Sequence, residues 1–86
     1  MNYKLKIWKK VFKFLEKCDK NIALKFDKAV DILVENPYKN NLDIKRLVWS
    51  ESKYRLRIWK YRFLYEVREN EILIYFYDAN SRWDIY

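Results

Sequence analysis

Polar and apolar positions alternate over residues 3–8, with Tyr3, Leu5 and Ile7 on one side and Lys4 and Lys6 on the other. That period of two predicts a half-buried strand. From Lys9 the period lengthens: Val11, Phe14, Leu15 and Cys18 follow the i, i+3, i+4, i+7 spacing of a short amphipathic helix. A second helix, capped by Asp19 or Asn21, carries its apolar face on Ile22, Phe26, Ala29, Val30 and Leu33. It stops at Asn36-Pro37, because proline disfavours a helical residue before it. After a polar loop, Ile44–Val48 reads as a strand and 49–52 as a turn. Alternation returns over Tyr54–Ile58 and again over Tyr61–Arg68. Glu69-Asn70-Glu71 reads as a tight hairpin, Ile72–Tyr77 as a nearly continuous apolar strand, and Asp78–Ser81 as a loop.

The order strand, two helices, four strands predicts an α+β fold in a single domain, 1–86. An N-terminal strand and an α-helical hairpin pack on one face of a small antiparallel β-sheet. If Leu56, Ile58, Phe63 and Tyr65 face the helices, the period of two turns Arg55, Arg57 and Arg62 to the opposite, open face. There they form a basic surface. The same three arginines also fit ordinary solvated sheet charges paired with Glu66.

Charge sharpens this picture. Lys and Arg number 19 against 12 Asp and Glu, a net charge of +7. All six arginines lie after residue 43, and the densest basic stretch, 44–62, holds Lys45, Arg46, Lys53, Arg55, Arg57, Lys60 and Arg62 against Glu51 alone. Arginine's planar, permanently charged fork matches phosphate, so this half is where a phosphate-bearing partner is expected. With no histidine and one cysteine, a serine–histidine triad, a histidine pair for RNA cleavage, a disulfide framework and a cysteine-built zinc site are all excluded. Cys18, on a helical apolar stripe, reads as buried filler. No apolar run approaches the roughly 20 residues that span a bilayer, and the first residues lack the apolar run of a signal peptide, so a cytoplasmic location with no membrane partner is expected.

Three segments then carry a resemblance: Tyr54-Arg55-Leu56-Arg57-Ile58; Lys60-Tyr61-Arg62-Phe63-Leu64-Tyr65-Glu66; and Ile72 through Arg82, closing on Asp84-Ile85-Tyr86. Together they resemble the RelE/ParE toxin superfamily of type II toxin–antitoxin modules, most closely its RelE branch, over essentially the whole chain. The resemblance implies a RelE-like fold and ribosome-dependent cleavage of mRNA by attack of a 2′-hydroxyl on the adjacent phosphate. It implies Arg62, Arg82 and Tyr86 as catalytic residues, and Arg55, Arg57, Lys53 and Lys60 as RNA-binding residues. It implies a cognate antitoxin with an acidic wrapping segment, the ribosome and mRNA as partners, and no cofactor or metal. Two alternatives stay open: a gyrase-inhibiting toxin of the ParE branch, and a degenerate member that binds its antitoxin and cuts nothing.

The resemblance also bears on an oddity of composition. Average usage of about 7% would give about six glycines, and this chain has none beside four tryptophans. Family members commonly carry glycine where Trp49, Trp59 and Trp83 stand here. Trp59 lies in a hairpin turn, where a positive φ is expected and glycine alone adopts it at no steric cost. The expectation is an AT-rich gene in which UGA, written as tryptophan, is read as glycine in the cell. The alternative is that the rings are genuine, with Trp49 and Trp83 as base-stacking platforms.

Overall fold

A computed structural model describes residues 2–81. The period-two and helical segments become β1 (Lys4–Ile7), α1 (Lys9–Glu16), α2 (Lys20–Glu35), β2 (Ile44–Arg46), β3 (Lys53–Ile58), β4 (Tyr61–Arg68) and β5 (Leu73–Asn80). Asp19 is the residue that caps α2, its carboxylate accepting the Asn21 N–H at 3.0 Å. The helix ends at Glu35, with Asn36 extended ahead of a buried Pro37.

The sheet order is β1-β5-β4-β3-β2. Both helices pack on one face, over a core in which Phe26 meets Phe63 at 4.7 Å and Phe76 at 5.0 Å between ring centroids. Each such ring contributes about 1.5–3 kcal/mol through burial. Tyr54 stacks on the fully buried Tyr65, closing the core toward the 36–43 loop. Cys18 is partly buried against this core, and burial pushes its thiol pKa up, in keeping with filler rather than a reactive nucleophile.

The sheet is mixed, where the sequence predicted an antiparallel one. β2 to β5 form an antiparallel meander, but β1 pairs parallel with β5, from Lys4 opposite Leu73 to Ile7 opposite Phe76. The reason is parity. The helices and the 36–43 loop deliver β2 running opposite to β1, and three reversals then bring β5 back parallel to it. β5 also runs three residues beyond its expected end, through a bulge that leaves Tyr77 extra opposite Leu64 and Tyr65. The bulge shifts the phase, so Asp78 and Asn80 face the same way as Leu64 and Arg62. A stretch that breaks the alternation is therefore strand rather than loop.

Among the described residues, two take the left-handed region that favours glycine: Trp59, at φ 57°, and Ile72, at φ 50°. Trp59 sits in the two-residue turn joining β3 to β4, as the sequence led one to expect. Trp49 is not among the positive-φ residues, and Trp83 lies outside the described residues. Ile72 closes the 3-10 turn at Glu69–Glu71, which stands in place of a plain hairpin. Beside that turn, Glu69 accepts hydrogen bonds from the Tyr3 hydroxyl at 2.7 Å and from Tyr38, tying the chain's start and the 36–43 loop to the foot of the sheet.

Candidate functional site

The face of the sheet away from the helices gathers the basic residues. In β3, Leu56 and Ile58 are buried in the core, so Lys53, Arg55 and Arg57 face outward between them. The register sets Arg57 directly opposite Arg62, Arg55 opposite Leu64, and Lys45 opposite Arg55. Like charges directly opposite one another weaken a sheet. Arg57 against Arg62 is such a pair by register, with the Asp43 carboxylate beside Arg57 to offset the repulsion.

Arg62 is the buried charged residue of this face, 5% exposed. It lies in a cleft of about 310 Å³ whose other walls are Lys45, Arg46, Leu47, Val48, Trp49 and Arg55. Arg55 and Arg57 share one carboxylate. Asp43 accepts from Arg57 Nε at 2.7 Å and from Arg55 Nη2 at 3.2 Å, while its backbone carbonyl accepts the Arg57 N–H at 2.9 Å. The partner of these arginines is thus Asp43 and not Glu66, which pairs instead with Arg68 at 2.8 Å. Arg55 Nε is buried with no hydrogen-bond partner, a donor that an incoming anion would satisfy.

The other candidates divide. Lys53 joins the face, its ammonium between the rings of Trp49, at 5.4 Å, and Tyr77, at 5.5 Å. Lys60 does not: it sits in the β3–β4 turn over Trp59 and Tyr61, and Tyr61 packs against the core on the helix side. Arg82 and Tyr86 lie outside the described residues.

Sequence reasoning missed Asp43 and the tyrosines of β5. Asp43 stands in an aperiodic loop 12 and 14 residues from the arginines it holds, so no local pattern reveals it. Tyr75 and Tyr77 were submerged in an apolar run, although their spacing of two carried the signal. Their face also holds Lys6 and Arg68, 5.6 and 5.2 Å from the centre of the Tyr75 ring. The arrangement offers several guanidinium and ammonium groups, a chemistry suited to an anion such as phosphate.

Comparison with known proteins gives consistent matches. A family model described as the ParE toxin of type II toxin–antitoxin systems, parDE, matches residues 5–78. A relative from Methanocaldococcus jannaschii named toxin RelE1 is 36% identical over 75 residues, 86% of this chain and 83% of the relative. Among solved structures, the archaeal RelE–RelB complex from Pyrococcus horikoshii aligns with a TM-score of 0.84 at 29% identity, covering 98% of this chain and 99% of that one. The isolated E. coli RelE toxin aligns at 0.77 and 16% identity, covering 96% and 89%, a likeness of fold alone.

Proposed function

Since the chain belongs to the RelE branch of the RelE/ParE family of type II toxins, we propose that it inhibits translation by cutting mRNA on the ribosome, held in check by a cognate antitoxin. The observation that supports this is the cleft lined by Arg55 and Arg62 together with Lys45 and Arg46, with Arg57 opposite Arg62 in the register. A phosphate between guanidinium groups converts their repulsion into charge-assisted hydrogen bonds.

In the proposed reaction the 2′-oxygen bonds to the adjacent phosphorus and the bond to the 5′-oxygen breaks. The 2′-hydroxyl gives up its proton and the leaving oxygen gains one. Negative charge grows on the phosphorane oxygens, where Arg62 and, by resemblance, Arg82 stabilise it. Tyr86 handles a proton or stacks on a base. Arg55, Arg57 and Lys53 hold flanking phosphates, and Lys60, turned to the helix side, takes no part on this face. The net charge of +7 favours an acidic antitoxin segment and salt-sensitive docking on the ribosome.

Induction in cells with mapping of mRNA 5′ ends tests the proposal. Codon-phased cuts are expected, and they should vanish with Arg62→Ala and Tyr86→Phe. Growth arrest with intact mRNA and disturbed DNA supercoiling would instead identify a gyrase poison. Antitoxin binding with neither effect would identify a degenerate member.

A further inference from the structure

The foot of the open face carries a feature that phosphate binding does not use. Tyr75 and Tyr77 stand side by side on β5, ring centroids 6.4 Å apart, on the solvent side of a sheet whose core lies on the other face. Three strands bring a cation to these rings: Lys6 from β1 and Arg68 from β4 over Tyr75, and Lys53 from β3 over Tyr77. The Tyr77 hydroxyl is buried with no hydrogen-bond partner, a cost the fold alone does not explain. Burial, then Asp78 and Glu66, raises its pKa, so it remains a neutral donor.

Aromatic rings interleaved with cations on an open sheet are what unpaired RNA needs, because every base has a face to stack and every step brings a phosphate. Exposed apolar area suited to a protein partner runs over Leu5, Phe12 and Leu24 along the outer edge of β1 and the helices, while the exposed Val48 and Trp49 belong to this face, with Lys53 over the Trp49 ring. We propose that Tyr75 and Tyr77 are a base-stacking subsite for single-stranded RNA, gripping nucleotides that flank the phosphate held by Arg55, Arg57 and Arg62. It rests on the RNA-cutting function proposed above and supplies that function with a grip independent of the cut.

The test is binding of a short labelled oligoribonucleotide to the purified protein by fluorescence anisotropy, beside ribosome-dependent cleavage of a programmed mRNA. Tyr75→Val and Tyr77→Val keep a strand-forming side chain and remove the ring. Each is expected to weaken oligonucleotide binding by about fivefold or more, the cost of losing one stacked base. Tyr75→Phe and Tyr77→Phe are expected to retain the stacking affinity, and a thermal melt identifies any variant that binds poorly because it is unfolded. Affinity within twofold of the parent in both valine variants overturns the subsite. So does weakening of antitoxin binding alone, or failure of the parent protein to bind the oligonucleotide. If the parent binds with ring dependence yet cuts nothing, the subsite stands and the nuclease function falls. If Arg62→Ala abolishes cleavage while the valine variants bind as the parent does, the reverse holds.

Discussion

Glycine is ordinarily worse than alanine at an ordered position, because it has more backbone freedom to lose, by roughly 0.5–1 kcal/mol. At position 59 the order should invert. Trp59 holds φ at 57°, where a side chain's Cβ crowds the following carbonyl at a cost of about 1–2 kcal/mol. Replacing the tryptophan by alanine removes the ring and keeps that Cβ; replacing it by glycine removes both. What the ring itself contributes cancels in the comparison. The indole is 68% exposed and touches Tyr61 edge-on at 5.9 Å. The surplus of strain relief over lost entropy leaves Trp59→Gly more stable than Trp59→Ala by about 0.5–1 kcal/mol, or about 2–8 °C in Tm at this chain length. The same pair at Trp49, which has no positive φ, should show the ordinary order. Thermal melts of the four variants decide it. A glycine variant at 59 that melts below its alanine counterpart would refute the reasoning and would remove the structural support for glycine at that codon. The intact mass of the protein from its native cell completes the case: glycine at 49, 59 and 83 is expected, and the tryptophan mass excludes it.

Glu69 sets an acid limit on stability. Its hydrogen bonds from Tyr38 and Tyr3 lower its pKa, so its contribution is complete above the unfolded value of about 4.3 and is lost as pH falls through the lower folded one. Urea midpoints of the parent and Glu69→Gln should therefore differ at neutral pH and converge below about pH 4; a constant gap would contradict the assignment. Asp43→Asn removes the shared partner of Arg55 and Arg57. It should cost up to about 1 kcal/mol for these part-exposed pairs while tightening RNA binding at low salt, because the face loses its nearest carboxylate. Weaker binding would instead mean that Asp43 positions the arginines. Lys45→Ala should flatten the slope of log K against log salt by about 0.7, one phosphate's worth for a single strand, with little effect on sequence preference.

How much of this molecule its sequence discloses depends on whether the cause is local. The helical hairpin and the split between Leu56 and Ile58 on one face and Arg55 and Arg57 on the other follow from periods of 3.6 and 2, which every residue reports. The turn at Trp59 was legible for the same reason, since a two-residue connection between alternating strands demands left-handed backbone. What stayed hidden is non-local. The parallel pairing of β1 depends on where the chain has travelled by residue 73, and the bulge at Tyr77 depends on how β5 meets β4. Asp43 is invisible because a loop carboxylate gains its role only once β2 lies beside β3. Lys60 shows the converse: adjacency to Tyr61-Arg62 in sequence suggests a shared face, but the turn carries its ammonium to the other side.

The division of chemical labour follows from the same geometry. On the proposed function, the chain would cut RNA without histidine, the side chain whose ordinary pKa lies near neutrality. Tyr77 and Tyr65 do not supply such a group. Burial and neighbouring acids raise Tyr77 on the open face, and burial raises Tyr65 beneath it, so both move away from usefulness as a base. The arginines, by contrast, carry a permanent charge and are already assembled, two of them opposite one another in the register of β3 and β4. On the proposed function, the sheet face acts by holding phosphate and by favouring the charge that grows on it. Proton transfer, on the proposed function, falls to Tyr86 and to water ordered on the ribosome. On that account the sheet arginines should govern transition-state charge and affinity together, while the terminal tyrosine governs the pH profile. Arg62→Ala would then lower the rate at every pH, and Tyr86→Phe would change the shape of the pH–rate curve.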